Sequence, residues 1–76
     1  MMFEKVQEII AKELGIDKNK ITGESRLTED LGADSLDAVE IIMALEEEFK
    51  VEIDDSNFQE IKCVNDIVAV LEKIAK

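Results

Sequence analysis

The sequence predicts an all-α protein, a small four-helix bundle of three main helices and one short helix with a long first connection. Three observations carry that prediction. Aromatic residues are limited to three phenylalanines, with no Trp or Tyr, so aliphatic side chains must fill the interior, whereas sandwiches and barrels lean on aromatic and β-branched strands. Apolar residues recur at helical spacing in three separate segments. At 76 residues the chain buries only about 60% of its unfolded surface and cannot divide that core in two, so residues 1–76 read as a single domain.

In FEKVQEIIAKELG, Phe3, Val6, Ile9, Ile10 and Leu14 follow one helical face, and Gly15 stands where a left-handed C-terminal cap is usual. From Ile16 to Asp34 no periodicity emerges. Gly23 and Gly32 interrupt this stretch, while Ile16, Ile21, Leu27 and Leu31 recur as anchors to the core. A connection that long implies function or an unrecognised turn. SLDAVEIIMALEEEFK is the strongest helix, built from good helix formers without Gly or Pro. Ile41, Ile42, Leu45 and Phe49 supply its inward stripe. Leu36, Val39 and Met43 form a second line (i, i+3, i+7) left at the surface, and exposed apolar residues in a row imply contact with something. After VEIDD, the stretch SNFQEI forms one or two helical turns with Ser56 as a candidate cap. VNDIVAVLEKIAK places Val64, Ile67, Val68, Leu71 and Ile74 on one face, with Asn65 as a candidate cap and lysines in the last turn, where the helix dipole favours them.

The formal net charge is −10, and it is not evenly spread. Residues 27–60 hold twelve Asp or Glu and one base, Lys50, so the remainder of the chain is close to neutral. A solvated face kept acidic for solubility is the ordinary reading of such a run. Here, however, the acids gather around one exposed apolar line, as on a docking surface for basic partners. The same field repels nucleic acid. A hydrophobic fraction of 46% argues for a folded chain despite the charge. One cysteine, Cys63, and no histidine leave no internal disulfide and no paired-cysteine or histidine metal site. Cys63 reads as a packed, inert thiol. The absence of a signal-like N-terminus or of about 18 consecutive apolar residues points to an unprocessed, soluble, cytosolic protein without a membrane span.

Ser35, set between Asp34 and Asp37, invites three readings. A nucleophile needs a base and oxyanion donors. No histidine exists, no Lys or Arg lies between Arg26 and Lys50, and the neighbouring carboxylates would repel an oxyanion, so the residues argue against a hydrolase nucleophile at Ser35. A calcium loop counted from Asp30 requires Gly at its sixth place and Glu at its twelfth, and finds Ser35 and Ile41. Ser35 could be a plain N-cap. If Asp34 caps instead, Asp37 completes a capping box and Ser35 becomes the first helical residue. Its hydroxyl is then released to solvent at the positive end of the helix, where an attached anionic group would be welcome. That physical permission names no ligand.

The run DLGADSLDAVEIIMALEEEF closely resembles the acyl carrier proteins, especially the free-standing carriers of bacterial and organellar fatty acid synthesis, and the similarity covers essentially all of the chain. The resemblance implies a four-helix bundle in which a phosphopantetheinyl transferase moves 4'-phosphopantetheine from coenzyme A onto Ser35. The terminal thiol of that group then carries acyl chains as thioesters among fatty acid synthesis enzymes. It further implies a monomeric, non-catalytic protein whose central helix docks onto basic patches of those enzymes through Asp34, Leu36, Asp37, Val39, Glu40, Met43, Glu46 and Glu47. An acyl pocket between the helices would involve Leu45, Phe49, Ile53, Phe58, Ile61 and Ile67, each of which ordinary core packing also explains. The likeness departs at SNFQE, less acidic than is common in the family, and at Phe58, bulkier than the usual small residue. Relatives serving polyketide, nonribosomal peptide or cell-wall alanylation pathways share the serine, but GADSLDAVE followed by MALEEEF favours fatty acid synthesis. The competing reading from another class is an acidic interaction domain in which Ser35 is only a cap.

Overall fold

The structure, a computed structural model, describes residues 2–74. Helix α1 spans Met2–Leu14, α2 spans Ser35–Phe49, α3 spans Asp55–Gln59 and α4 spans Val64–Ile74, with a single 3-10 turn at Lys18–Lys20 in the long connection. Among the described residues all regular secondary structure is helical, apart from one isolated antiparallel bridge between Arg26 and Cys63. α1 packs against both α2 and α4, whereas α3 is held far more lightly. The apolar faces expected of the three long helices meet in one cluster, in which Val6, Ile10, Ile41, Leu45, Val64, Ile67 and Leu71 are fully buried. Val70 joins the core although the helical stripe read from the sequence passed it by. Phe3, Ile9, Leu14, Phe49 and Val68 pack against the edge of the cluster.

The long connection is stitched down rather than free. Ile21 and Leu27 are buried, and Ile16 and Leu31 pack against the core, which matches the four anchors expected. The Gln7 side-chain amide donates to the carbonyls of Lys18 and Ile21, both at 2.8 Å, tying the 3-10 turn to α1. Asp17 starts that turn by accepting from the Asn19 N–H at 2.9 Å. This turn is the unrecognised element that the sequence hid.

Helix ends follow the cap chemistry with two corrections. Gly15 adopts φ 69°, and the Ile16 N–H closes α1 onto the Ala11 carbonyl at 3.0 Å, as a left-handed cap requires. Lys50 takes the same left-handed geometry at φ 56°, and the Val51 N–H reaches the Glu46 carbonyl at 3.2 Å. Ser56 does not cap α3. That position belongs to Asp54, whose carboxylate accepts from the Asn57 N–H at 2.8 Å and from the Ser56 hydroxyl at 3.1 Å, because an aspartate one residue before the first turn outcompetes a serine already inside it. Asn65 does not cap α4 either. The first N–H groups of α4 are taken by the connection, Val64 donating to the Ser25 carbonyl at 3.0 Å and Asn65 to the Gly23 carbonyl at 2.8 Å. The Asn65 side chain lies against Gly23, where any Cβ would collide with it.

Candidate functional site

The head of α2 is assembled by the loop before it. Leu27 and Ala33 are buried and joined by an Ala33 N–H to Leu27 carbonyl bond of 2.9 Å. Inside that loop the Asp30 carboxylate accepts from the Arg26 N–H at 2.8 Å and from its guanidinium at 3.2 Å. The Arg26 N–H is the main reason that the Asp30 carboxyl is held below the usual aspartate range, with the guanidinium adding to it. The Asp30 hydrogen bond in turn raises Arg26. Gly32 supplies the reversal at φ 73°, a conformation that costs side-chain-bearing residues steric energy.

Asp34, extended at φ −91° and ψ −173°, is the N-cap of α2. Its carboxylate accepts from the Asp37 N–H at 2.9 Å, and the Asp37 carboxylate accepts from the Asp34 N–H at 3.2 Å. This reciprocal box leaves the Ser35 hydroxyl with no part in capping. Ser35 is the first residue of the helix and is exposed. The N–H groups of Ser35 and Leu36 stand outside the box, in the first turn where the helix offers unpaired donors and positive potential. A phosphodiester on the Ser35 oxygen therefore fits the chemistry of this site, and a base-activated nucleophile does not.

Along α2, Leu36 is 66% exposed, Val39 48% and Met43 61%, so the second apolar line is a surface feature. Glu40 and Glu47 are exposed beside it and Asp37 is half-buried. Glu46 differs from its neighbours: its carboxylate accepts from the Ile53 N–H at 2.8 Å and fixes the turn out of α2. The sequence held no signal for that tie, because the donor lies in a segment without periodicity.

The six residues expected near an acyl chain do not line one cavity. Leu45 and Ile67 are closed into the core, and Phe49, Ile53 and Ile61 pack at its edge. Phe58 is 38% exposed. Ile61 and Phe58 border one cleft, together with Leu27 and Ala38, which sequence reasoning missed. Ile53 and Phe58 border another, together with Ile42. Among the described residues no group of His, Cys, Asp or Glu converges to hold a metal ion, and no helix is long and apolar enough to cross a membrane.

This combination, a helical bundle presenting an acceptor hydroxyl at the head of its central helix, matches a family described as the phosphopantetheine attachment site, over residues 4–71. An acyl carrier protein of Thermotoga maritima is 47% identical over 72 residues, covering 95% of this chain and 89% of that protein. A solved structure from Mycobacterium tuberculosis, provisionally assigned as an acyl carrier protein, superposes with a TM-score of 0.90 at 34% identity, covering 96% of this chain and 97% of that one. The chain belongs to the phosphopantetheine-attachment family, as one of its acyl carrier proteins. It is a carrier, not an enzyme, and the cofactor of its family is covalent 4'-phosphopantetheine.

Proposed function

We propose that Ser35 bears the 4'-phosphopantetheine group and that residues 1–76 act as one carrier domain, delivering growing acyl chains among the cytoplasmic enzymes of fatty acid synthesis. The prosthetic group supplies a thiol that holds acyl chains as thioesters. The chain's own residues present and shelter that cargo. Asp34 and Asp37 shape the helix start and leave the hydroxyl free. Leu36, Val39 and Met43, flanked by Glu40, Glu46 and Glu47, form the face that meets basic patches on a phosphopantetheinyl transferase and on the synthesis enzymes, where charge steers encounter and the apolar line supplies contact energy. Residues bordering the clefts beside α3 receive the acyl chain.

The observation that carries this reading is the exposed Ser35 hydroxyl beside a capping box that is complete without it. Incubation with coenzyme A, Mg²⁺ and a phosphopantetheinyl transferase, followed by intact mass, tests it. Wild type gains the mass of one phosphopantetheine and Ser35→Ala gains none, with Ser25 and Ser56 as internal controls. No gain in wild type, or an equal gain in Ser35→Ala, refutes the assignment.

A further inference from the structure

The turn before the central helix is wound around one residue, Arg26. Its carbonyl accepts from the N–H groups of both Asp30 and Leu31, at 2.9 and 3.1 Å, and one residue further on the Leu27 carbonyl accepts from the Ala33 N–H at 2.9 Å. The Arg26 N–H donates to the Asp30 carboxylate at 2.8 Å, and the guanidinium donates to the same oxygen at 3.2 Å. A single acidic side chain thus closes a loop whose Leu27 and Ala33 are buried in the core. Asp34 follows Ala33 directly as the cap of α2, and Ser35 is the next residue. Where the helix begins therefore depends on how residues 26–33 are folded back. Arg26 is also the only base between Lys20 and Lys50, and it is spent on this loop, reaching Glu29 at 3.1 Å as well as Asp30.

We propose that Asp30 is a positioning residue for phosphopantetheine attachment: by holding the Arg26 N–H, its carboxylate keeps the loop 26–33 closed and so fixes where Ser35 meets the transferase. The inference rests on the carrier reading above and gives Asp30 a duty distinct from that of the exposed acids of α2. Its bonds to Arg26 engage an oxygen that a docking carboxylate would offer outward, so Asp30 contributes an acceptor in a set place and not a charge presented to a partner. In the transfer the Ser35 oxygen bonds to the phosphorus next to pantetheine, the pyrophosphate P–O bond of coenzyme A breaks, its adenosine bisphosphate half leaves, and the hydroxyl proton passes to a base of the transferase. The attacking oxygen must lie in line with the bond that breaks, and a misplacement of about 1 Å can cost roughly a hundredfold in rate.

The test compares phosphopantetheinyl transferase kinetics on full-length carriers, each checked by circular dichroism to be folded at the assay temperature. Asp30→Asn keeps an acceptor oxygen and drops the charge, whereas Asp30→Glu keeps the charge and moves the acceptor outward by one methylene. Asp30→Asn should retain kcat within about threefold of wild type, while Asp30→Glu and Asp30→Ala lower it roughly ten- to hundredfold with KM altered no more than about twofold. If Asp30→Ala does not fold, the Asn and Glu pair decides alone. A kcat for Asp30→Glu at or above that of Asp30→Asn overturns the inference, because charge would then outweigh the placing of the acceptor. An unchanged kcat in Asp30→Ala, with only Tm lowered, overturns it as well, because Asp30 would then serve stability alone. In both cases attachment at Ser35 stands. A wild type that accepts no phosphopantetheine removes the carrier reading and this inference with it.

Discussion

Leu36 and Leu45 lie on the same helix nine residues apart, one 66% exposed and the other fully buried, and they separate a surface position from a core one at the residue scale. Leu45→Ala leaves a cavity among close-packed neighbours and should destabilise the fold by about 2–5 kcal/mol, a large part of the stability a small domain possesses. Leu36→Ala removes a side chain already in water and should change stability by no more than about 0.5 kcal/mol, while slowing phosphopantetheine transfer. Urea unfolding and transfer kinetics on both variants check the pair, and comparable loss of stability in the two would contradict the surface assignment. Both positions were legible in the sequence, because helical spacing distinguishes an inward stripe from a second line. Glu46 was not. Spacing places it with Glu47, but its carboxylate is occupied by the Ile53 N–H, and a bond to an aperiodic segment leaves no mark in the pattern of either partner.

At the scale of elements, existence was easier to read than termination. The capping box of α2 follows from the three-residue spacing of Asp34 and Asp37. The same spacing between Asp54 and Asn57 starts α3, two residues ahead of the cap expected at Ser56. Gly15 announced the end of α1, whereas α2 ends at a left-handed Lys50, a residue with no preference for that conformation, so the helix read from the sequence ran one residue too far. Asp34→Ala removes the acceptor for the Asp37 N–H and should destabilise the protein by about 1 kcal/mol, lowering Tm by roughly 4–8 °C for a chain of this size. Asp34→Asn keeps an acceptor oxygen and should lose much less. Calorimetry on the two variants decides the matter, and equal losses would show that charge, not the cap bond, holds the start of α2.

For the whole molecule, charge imposes an unusual response to acid. As pH falls from neutrality toward the ordinary carboxylate range at about 4–4.5, the net charge of −10 shrinks and self-repulsion with it, so Tm should rise. Below that range the trend reverses. Backbone N–H groups hold three carboxyls under the ordinary aspartate value of 3.8: those of Arg26 on Asp30, Asn57 on Asp54 and Lys62 on Asp66. A depressed value in the fold means that the ionised form stabilises it. That contribution is complete above the ordinary value and disappears as pH drops through the folded ones. Tm against pH should therefore pass through a maximum in mild acid, and about 1 M salt should flatten the rise by screening. A steady decline from pH 7 would refute a dense acidic face. The charge asymmetry behind this behaviour was fully legible, since it needs only a count along the chain. The joining of the long connection to α4 was not, because Gly23 and Ser25 give carbonyls, which every residue has, to the N–H groups of Asn65 and Val64. That seam has a consequence in time. The first turn of α4 finds its acceptors only after the chain on either side of α2 has been brought together, so loop closure must precede it. The start of α4 is thus set by residues far earlier in the chain and not by its own helical propensity alone.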